Sequence, residues 1–267
     1  MGKSIQEKIG IMGAGNLGTS MALSLVKTGF SVIFHSSHYK NDILNIKNES
    51  NTDKFLSESN TVFIAVKDKD IKSKVDIIKN HNVKGKIIIH FSGYHSSDIL
   101  SELKDRGGII GSFHPIFSFP QKNIDLTKIS EAGELYGSYE GDNIGMDRVK
   151  EIFGKIGFNV FEISKDDKHL YHLSLTLISN YPFYIVELGK LMFDKTDIDT
   201  DKTKLLNDFL RIATENYINS GKISGPLSRG DYELIESEIK DIKYKKLKKL
   251  IDDLIKLSKR IKEEGKT

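Results

Sequence analysis

Lys8-Ile9-Gly10-Ile11-Met12 runs straight into Gly13-Ala14-Gly15-Asn16-Leu17-Gly18, which opens into Thr19-Ser20-Met21-Ala22-Leu23-Ser24-Leu25. A buried-strand pattern before the glycines, a helical period after them and a second strand-like run at Ser31–His35 together spell a β-α-β unit that binds a dinucleotide. Gly13 permits a tight turn, Gly15 lets backbone N–H groups approach a pyrophosphate, and Gly18 lets the helix pack close to the strand. Asn16 and Leu17 stand at the helix start, where the N-terminus faces phosphate charge. No Gly-Lys-Ser/Thr follows, so a nucleoside-triphosphate loop is not indicated. The competing reading is a structural turn without a ligand.

The chain has 267 residues, enough for one large domain or two ordinary ones. Its 40 basic and 37 acidic residues leave a net charge of +3, which gives no field for nucleic acid or a membrane surface. There is no cysteine, which excludes disulfides, thiolate nucleophiles and Cys-ligated zinc. No 18-residue apolar run exists and the first strand begins at once, so a cytoplasmic protein without a signal peptide is expected. Gln6 stands where a myristoylation motif after Gly2 needs Ser or Thr.

Strand-like runs are predicted at Lys8–Met12, Ser31–His35, Thr61–Val66, Lys86–Phe91, Ile109–Phe113, Glu134–Tyr139 and Asn159–Ile163, alternating with helical stretches. Most are continuous apolar runs, as strands of a doubly covered parallel sheet should be. From Asp166 onward only helical periods remain, over Asp167–Met192, Lys202–Ser220, Asp231–Ile242 and Lys243–Glu264. The fold expected is a doubly wound Rossmann-type α/β sheet over residues 1–164, followed by a smaller all-helical domain over 165–267. The last helix carries an apolar stripe of Leu247, Leu250, Ile251, Leu254, Leu257 and Ile261, which with the helix around Leu173–Leu191 asks for a partner; a homodimer through the helical domain is expected. Lys243 to Lys249 read as a solvated face.

An acidic residue at the end of the second strand marks use of the non-phosphorylated nicotinamide cofactor. This chain has His35-Ser36-Ser37-His38-Tyr39-Lys40 there instead. His35, Ser36, Ser37 and Lys40 supply donors for a 2′-phosphate, so NADP(H) is expected over NAD(H); an ordinary polar loop would look similar.

Val62-Phe63-Ile64-Ala65-Val66-Lys67, His90-Phe91-Ser92-Gly93, Phe113-His114-Pro115, Lys168-His169-Leu170-Tyr171-His172 with Ser179-Asn180, and Gly225-Pro226-Leu227-Ser228-Arg229-Gly230-Asp231 follow the glycine turn in order. With it, they resemble the Rossmann-like proteins that carry a DUF2520 C-terminal domain, relatives of pyrroline-5-carboxylate reductase, 6-phosphogluconate dehydrogenase and the F420-dependent NADP oxidoreductases. The resemblance spans most of the chain. It implies an NAD(P)-dependent oxidoreductase whose helical domain often completes a dimer, with Ala65, Val66, Lys67, Ser92 and Gly93 beside the cofactor. It names no substrate.

Reduction of a carbonyl or imine needs a group that protonates the heteroatom as hydride reaches carbon. Lys168 opens the first helix of the second part, where the related β-hydroxyacid dehydrogenases and 6-phosphogluconate dehydrogenase place a Lys-x-x-x-Asn pair facing the nicotinamide. The fourth position here is His172. Lys168, His172 and Ser179 share a helix face, and Asn180 joins them only if the helix bends, for which Pro182 gives a cause. Lys168 is expected in the cleft between the two parts; the plain alternative is an exposed first-turn lysine, and for His172 a core histidine. His169 and His172 complete no zinc pattern, so no metal is expected. His114, after the Ile109–Phe113 strand, either touches substrate or sits in a loop that Pro115 extends. Arg229 either anchors a substrate carboxylate or pairs with Asp231, while Ser179 and Asn180 are expected on the substrate side of the same cleft.

The leading reading is an oxidoreductase that prefers NADP and moves hydride to or from a small carbonyl, imine or hydroxy-acid substrate. Phe113-His114-Pro115-Ile116-Phe117 is also similar to a stretch of prephenate dehydrogenases. A non-catalytic cofactor-binding sensor or scaffold is the alternative from another class.

Overall fold

The computed structural model describes residues 8–37, 39, 45–240 and 245–264. Its elements run β1 (Lys8–Met12), α1 (Asn16–Lys27), β2 (Ser31–His35), β3 (Lys47–Asn48), α2 (Thr52–Ser57), β4 (Ser59–Ile64), α3 (Asp68–Ile78), β5 (Ile87–His90), α4 (Ser101–Lys104), β6 (Ile109–Pro115), α5 (Leu126–Ala132), β7 (Leu135–Gly141), α6 (Asn143–Ile156) and β8 (Phe158–Glu162). Among the described residues six helices follow: α7 (Lys168–Ser179), α8 (Tyr181–Phe193), α9 (Lys202–Ser220), α10 (Pro226–Arg229), α11 (Tyr232–Lys240) and α12 (Lys245–Glu264); a 3₁₀ turn at Ser97–Leu100 precedes α4.

The strands form one sheet in the order β3-β2-β1-β4-β5-β6-β7-β8. Strands β3 to β6 are parallel, whereas β7 runs antiparallel to β6 and parallel to β8. Side chains alternate between faces. Ile9, Ile11, Phe34, Phe63, Phe91 and Phe113 pack with Met21, Leu25 and Phe153 on one face. Met12, Ile33, Val62, Ile64, Ile88 and Ile110 pack with Phe55, Ile71, Val75 and Leu103 on the other. Phe113 stacks on Phe153 with ring centroids 4.0 Å apart, which ties β6 to α6.

Three expectations are corrected. The expected all-parallel sheet ends in two reversed strands, because the β6–β7 connection carries only the short α5 rather than a full crossover. His114 and Pro115 belong to β6 itself, where Pro115 pairs with Gly137, instead of following the strand in a loop. The single helix expected over Asp167–Met192 is two: the break falls at Asn180 (φ −123, ψ −58), and Pro182 sits in the first turn of α8, where its missing N–H costs nothing. The two-residue β3 carries too little pattern to be foreseen.

The chain divides into two compact units, Met1–Tyr184 and Ile185–Thr267. The β-rich part ends with β8, near the boundary expected at 165, yet α7 belongs to the first unit because Lys168 and Tyr171 bond to β6 and β7. In the second unit Ile235, Ile239 and Ile255 form a small core with Ile251, Leu227 and Tyr232 at its margin. Of the stripe expected on α12, Leu250, Leu257 and Ile261 stay exposed. Among the described residues no helix is long and apolar enough to cross a membrane.

Candidate active site

The carboxyl ends of the parallel strands line up Gly13–Gly18 after β1, Ala65–Lys67 after β4, Ser92–Gly93 after β5 and His114 near the end of β6. From β1 to β6 is three strand spacings, roughly 14 Å, so these residues form one continuous edge.

At its β1 end, Gly13, Ala14, Gly15, His35, Ser36, Ser37, Ala65, Val66 and Lys67 line a cavity of about 550 Å³, together with Asp70, Ser73, Lys74 and Lys122. The three glycines do different work. Gly13 adopts φ +110, and a Cβ there would lie 2.3 Å from the Ala65 carbonyl oxygen. A Cβ on Gly18 would lie 2.3 Å from the Gly13 carbonyl oxygen, which is the close helix packing the motif requires. A Cβ on Gly15 would meet only open space. Gly15 therefore answers to nothing in the protein, and the room beside it suits a pyrophosphate. As N-cap of α1 it gives no side-chain cap, and the first turn holds no acid, so the N–H groups are left for an anion. Asn16 Nδ2 donates to the Phe119 carbonyl at 2.9 Å, and Leu17 packs against the core.

The β2 end is fixed by β3. Ser36 N donates to Asn48 Oδ1 at 3.0 Å, Asn48 Nδ2 donates back to the Ser36 carbonyl at 2.9 Å, and His35 Nδ1 lies 2.7 Å from the Glu49 carbonyl. Lys40, expected beside them, lies outside the described residues.

The β6 end carries a polar face that the sequence hid. Alternation sends Phe113 and Tyr139 into the core and puts Ser112, His114, Ser138 and Glu140 on the opposite face, where Ser112 pairs with Glu140 and His114 with Ser138. The first turn of α7 covers this face. Lys168 is 1 % exposed, not the solvated lysine of the plain alternative; its Nζ donates to Ser112 Oγ at 2.7 Å and to the Ser92 carbonyl at 3.3 Å. Burial pulls its pKa down to about 8, against the opposing pull of the Glu140 and Asp68 carboxylates. Glu140 itself accepts from Ser97 N at 2.6 Å and Ser97 Oγ at 2.7 Å.

His114 and His172 converge on Gly93. A Cβ at Gly93 would fall 2.8 Å from His172 Cδ2 and 2.9 Å from His114 Nε2, so only glycine admits both rings. Burial above all, with the Lys168 ammonium nearby, pushes the His114 pKa down to about 4, so it is neutral at physiological pH. The lysine-histidine face expected of α7 is thus assembled, with Tyr171 added. Tyr171 was legible as a neighbour on that face, three positions after Lys168, but a tyrosine at helical spacing reads as packing. Ser179 and Asn180 lie exposed at the far end of α7, where Ser179 Oγ bonds its own helix at Leu175. Arg229 pairs with Asp231 at 2.9 Å within the second unit, the structural alternative.

A glycine-turn cavity and a buried lysine on one sheet edge define the dinucleotide-dependent oxidoreductase class. Residues 8–93 match the family described as NADP oxidoreductase coenzyme F420-dependent, and residues 136–257 match DUF2520, a domain of unknown function. The chain thus joins a domain similar to the NADP oxidoreductases to a DUF2520 domain, the combination that the sequence motifs led one to expect. No curated protein matches it significantly by sequence. Protein TM1727 from Thermotoga maritima is similar in structure at 23% identity, TM-score 0.69, with 97% of this chain and 100% of that one covered. Pyrroline carboxylate reductase from Plasmodium falciparum, with NADP bound, is similar at 16% identity, TM-score 0.61, covering 96% and 98%. A reductive aminase from Aspergillus terreus, in complex with NADPH and ethyl levulinate, is similar at 15% identity, TM-score 0.68, covering 97% and 94%. At these identities the likeness concerns the fold.

Proposed function

We propose that this protein is an NADP(H)-dependent reductase of a small C=N or C=O substrate, with Lys168 as proton source. The observation that carries this is the state of the Lys168 ammonium. Two of its three N–H donors are met by Ser112 Oγ and the Ser92 carbonyl, and no further acceptor is found among the described residues. A buried ammonium short of one acceptor, with a depressed pKa, is suited to hand a proton to an incoming heteroatom.

Ser36 and Ser37, with Lys74 and Lys122 across the cavity, would hold the 2′-phosphate end of the cofactor. Gly15 and the start of α1 would take the pyrophosphate. When bound, the reduced nicotinamide supplies hydride to the electrophilic carbon. His114 and His172 would then flank the heteroatom beside Gly93, and Lys168 would deliver its proton. Reductases of C=N bonds among the structural relatives support an imine or carbonyl substrate over other classes. Assembly as a homodimer belongs to the same proposal, because α8 and α9 bury none of their residues.

The deciding experiment is NADPH titration followed by screening of cyclic imines, ketones and hydroxy acids for NADPH oxidation or NADP reduction. A non-catalytic sensor would bind the cofactor and turn over nothing.

A further inference from the structure

The Tyr171 hydroxyl bridges two side chains that stand directly opposite each other across the β6–β7 pair. It lies 2.9 Å from His114 Nδ1 and 3.0 Å from Ser138 Oγ, and His114 and Ser138 are register partners. The Tyr171 ring meets the His114 ring edge-on, centroids 5.6 Å apart and planes at 89°, and also packs on Phe161. Three polar groups share two hydroxyl protons, and the proton economy sets their direction. Ser138 is buried and its hydroxyl has no other acceptor among the described residues, so it donates to the phenol oxygen. The phenol proton is then free for one acceptor only, His114 Nδ1. The reverse chain, from Nδ1–H through the phenol to Ser138, would strand the serine proton in the interior.

We propose that Tyr171 is a positioning residue: its phenol proton, given to His114 Nδ1, holds His114 in the tautomer whose Nε2–H points past Gly93 as a hydrogen-bond donor to the substrate heteroatom. In a neutral imidazole, acceptance at one nitrogen puts the proton on the other. Nε2 is the His114 atom nearest to where a Gly93 side chain would be, so the donor faces a place that only a glycine keeps free of a side chain. Desolvation and the nearby Lys168 charge keep the ring uncharged, which makes a fixed tautomer meaningful. The identity of the acceptor rests on the reductase reading; the tautomer does not. His114 is then a catalytic residue in the polarising sense, and the Ser138–Tyr171 pair acts only through it.

The test is nitrogen NMR of the full chain labelled with ¹⁵N-histidine at neutral pH, with the His114 signals assigned by their loss in His114→Gln. Wild type is expected to show His114 as the Nε2–H form. Tyr171→Phe keeps the ring contacts and removes the hydroxyl; the tautomer ratio should move at least about fivefold toward Nδ1–H, the effect of one ordinary hydrogen bond. Ser138→Ala leaves the phenol in place and should keep the Nε2–H form, which preserves a test if Tyr171→Phe fails to fold. An Nδ1–H or doubly protonated His114 in wild type overturns the proposal, as does an unchanged ratio in Tyr171→Phe or a reversed one in Ser138→Ala. With NADPH and either 1-pyrroline or cyclohexanone as probe, Tyr171→Phe should lower kcat at unchanged NADPH affinity. Lack of NADPH oxidation by wild type with every imine and ketone counts against the reductase reading, while the tautomer signal judges Tyr171 separately.

Discussion

Lys168 Nζ lies 2.7 Å from Ser112 Oγ, so a buried ammonium fastens the first turn of α7 to β6. Among the described residues no carboxylate bonds to that ammonium; Glu140, on the same sheet face as Ser112, is engaged by Ser97. Desolvating a cation without a direct counter-ion costs stability that an apolar residue would not cost. A site that keeps such a group holds it for chemistry or for a ligand that completes its bonding.

Replacing Lys168 by methionine should therefore separate function from stability. Turnover is expected to fall about 10²–10⁴-fold, with NADPH affinity unchanged. Because burial lowers the folded-state pKa from 10.5 to about 8, the charge costs stability on the order of 3 kcal/mol at neutral pH. The sign follows from proton counting: between pH 8 and 10.5 the unfolded chain binds more protons at Lys168 than the folded one, so wild-type stability rises with pH across that window. Urea unfolding at several pH values should show Lys168→Met more stable than wild type near pH 7, with the gap closing by about pH 10.5. A variant clearly less stable at neutral pH would mean that the ammonium holds the fold. As the acid in a reduction, Lys168 also predicts a kcat that is flat below about pH 8 and declines above it.

Gly15 and Gly18 should part company. Gly15→Ala places its Cβ in open space at an ordinary backbone conformation (φ −77), so melting should stay within the small range of neutral surface changes while NADPH affinity drops at least about tenfold. Gly18→Ala drives a Cβ onto the Gly13 carbonyl and should destabilise by about 1–3 kcal/mol. Calorimetric melting and NADPH titration of both variants check this; unaltered NADPH binding in Gly15→Ala would dismiss the cavity as a pyrophosphate site.

What the sequence disclosed and what it withheld follow from the range of each signal. The glycine turn, the strand runs and the all-helical C-terminal part are local patterns, and they appear close to where the residues put them, except that β6 runs on through Pro115 and the helix expected over Asp167–Met192 breaks at Asn180. His114, Lys168 and His172 were legible as candidates because each sits at an element end or on one helix face. The polar face of β6 and β7 was not, since Ile109–Phe113 reads as one apolar run and only the antiparallel partner reveals that Ser112 and His114 look away from the core. Lys74 and Lys122 line the cofactor cavity from α3 and from the segment before α5, far from the β2 end in sequence. Tyr171 gains its meaning only from Ser138, 33 residues earlier.

Cofactor choice tests the β2 end directly. With no acid following His35 and with Ser36, Ser37, Lys74 and Lys122 lining the cavity, NADPH should bind about 10–100-fold more tightly than NADH, the worth of one or two charge-assisted hydrogen bonds. Titration calorimetry with both reduced cofactors measures the ratio. Replacing Ser36, Ser37 and Lys40 together by alanine should erase most of it, and Lys74→Ala part of it. Equal affinities in wild type, or a preference that survives all four changes, would remove the phosphate reading.

The apolar surface of the C-terminal helices makes the last prediction. Leu205, Phe209 and Ile212 recur at three- and four-residue spacing on one face of α9 and all are exposed, Phe209 by 67 %. Ile218, half a turn away on the opposite face, is 71 % exposed, and α8 adds Tyr184, Ile185 and Leu191. A monomer that left two helices with no buried residue would offer water a patch of the kind that normally marks an interface. A second copy of the chain is the partner always at hand, and a twofold pairing closes the surface on itself. Light scattering at micromolar concentration should give the mass of a dimer. Phe209→Asp combined with Ile212→Asp should shift it to monomer, because each new carboxylate would have to be buried unpaired on association. A monomeric mass for wild type, or a dimer untouched by the double aspartate change, would place the interface elsewhere or nowhere.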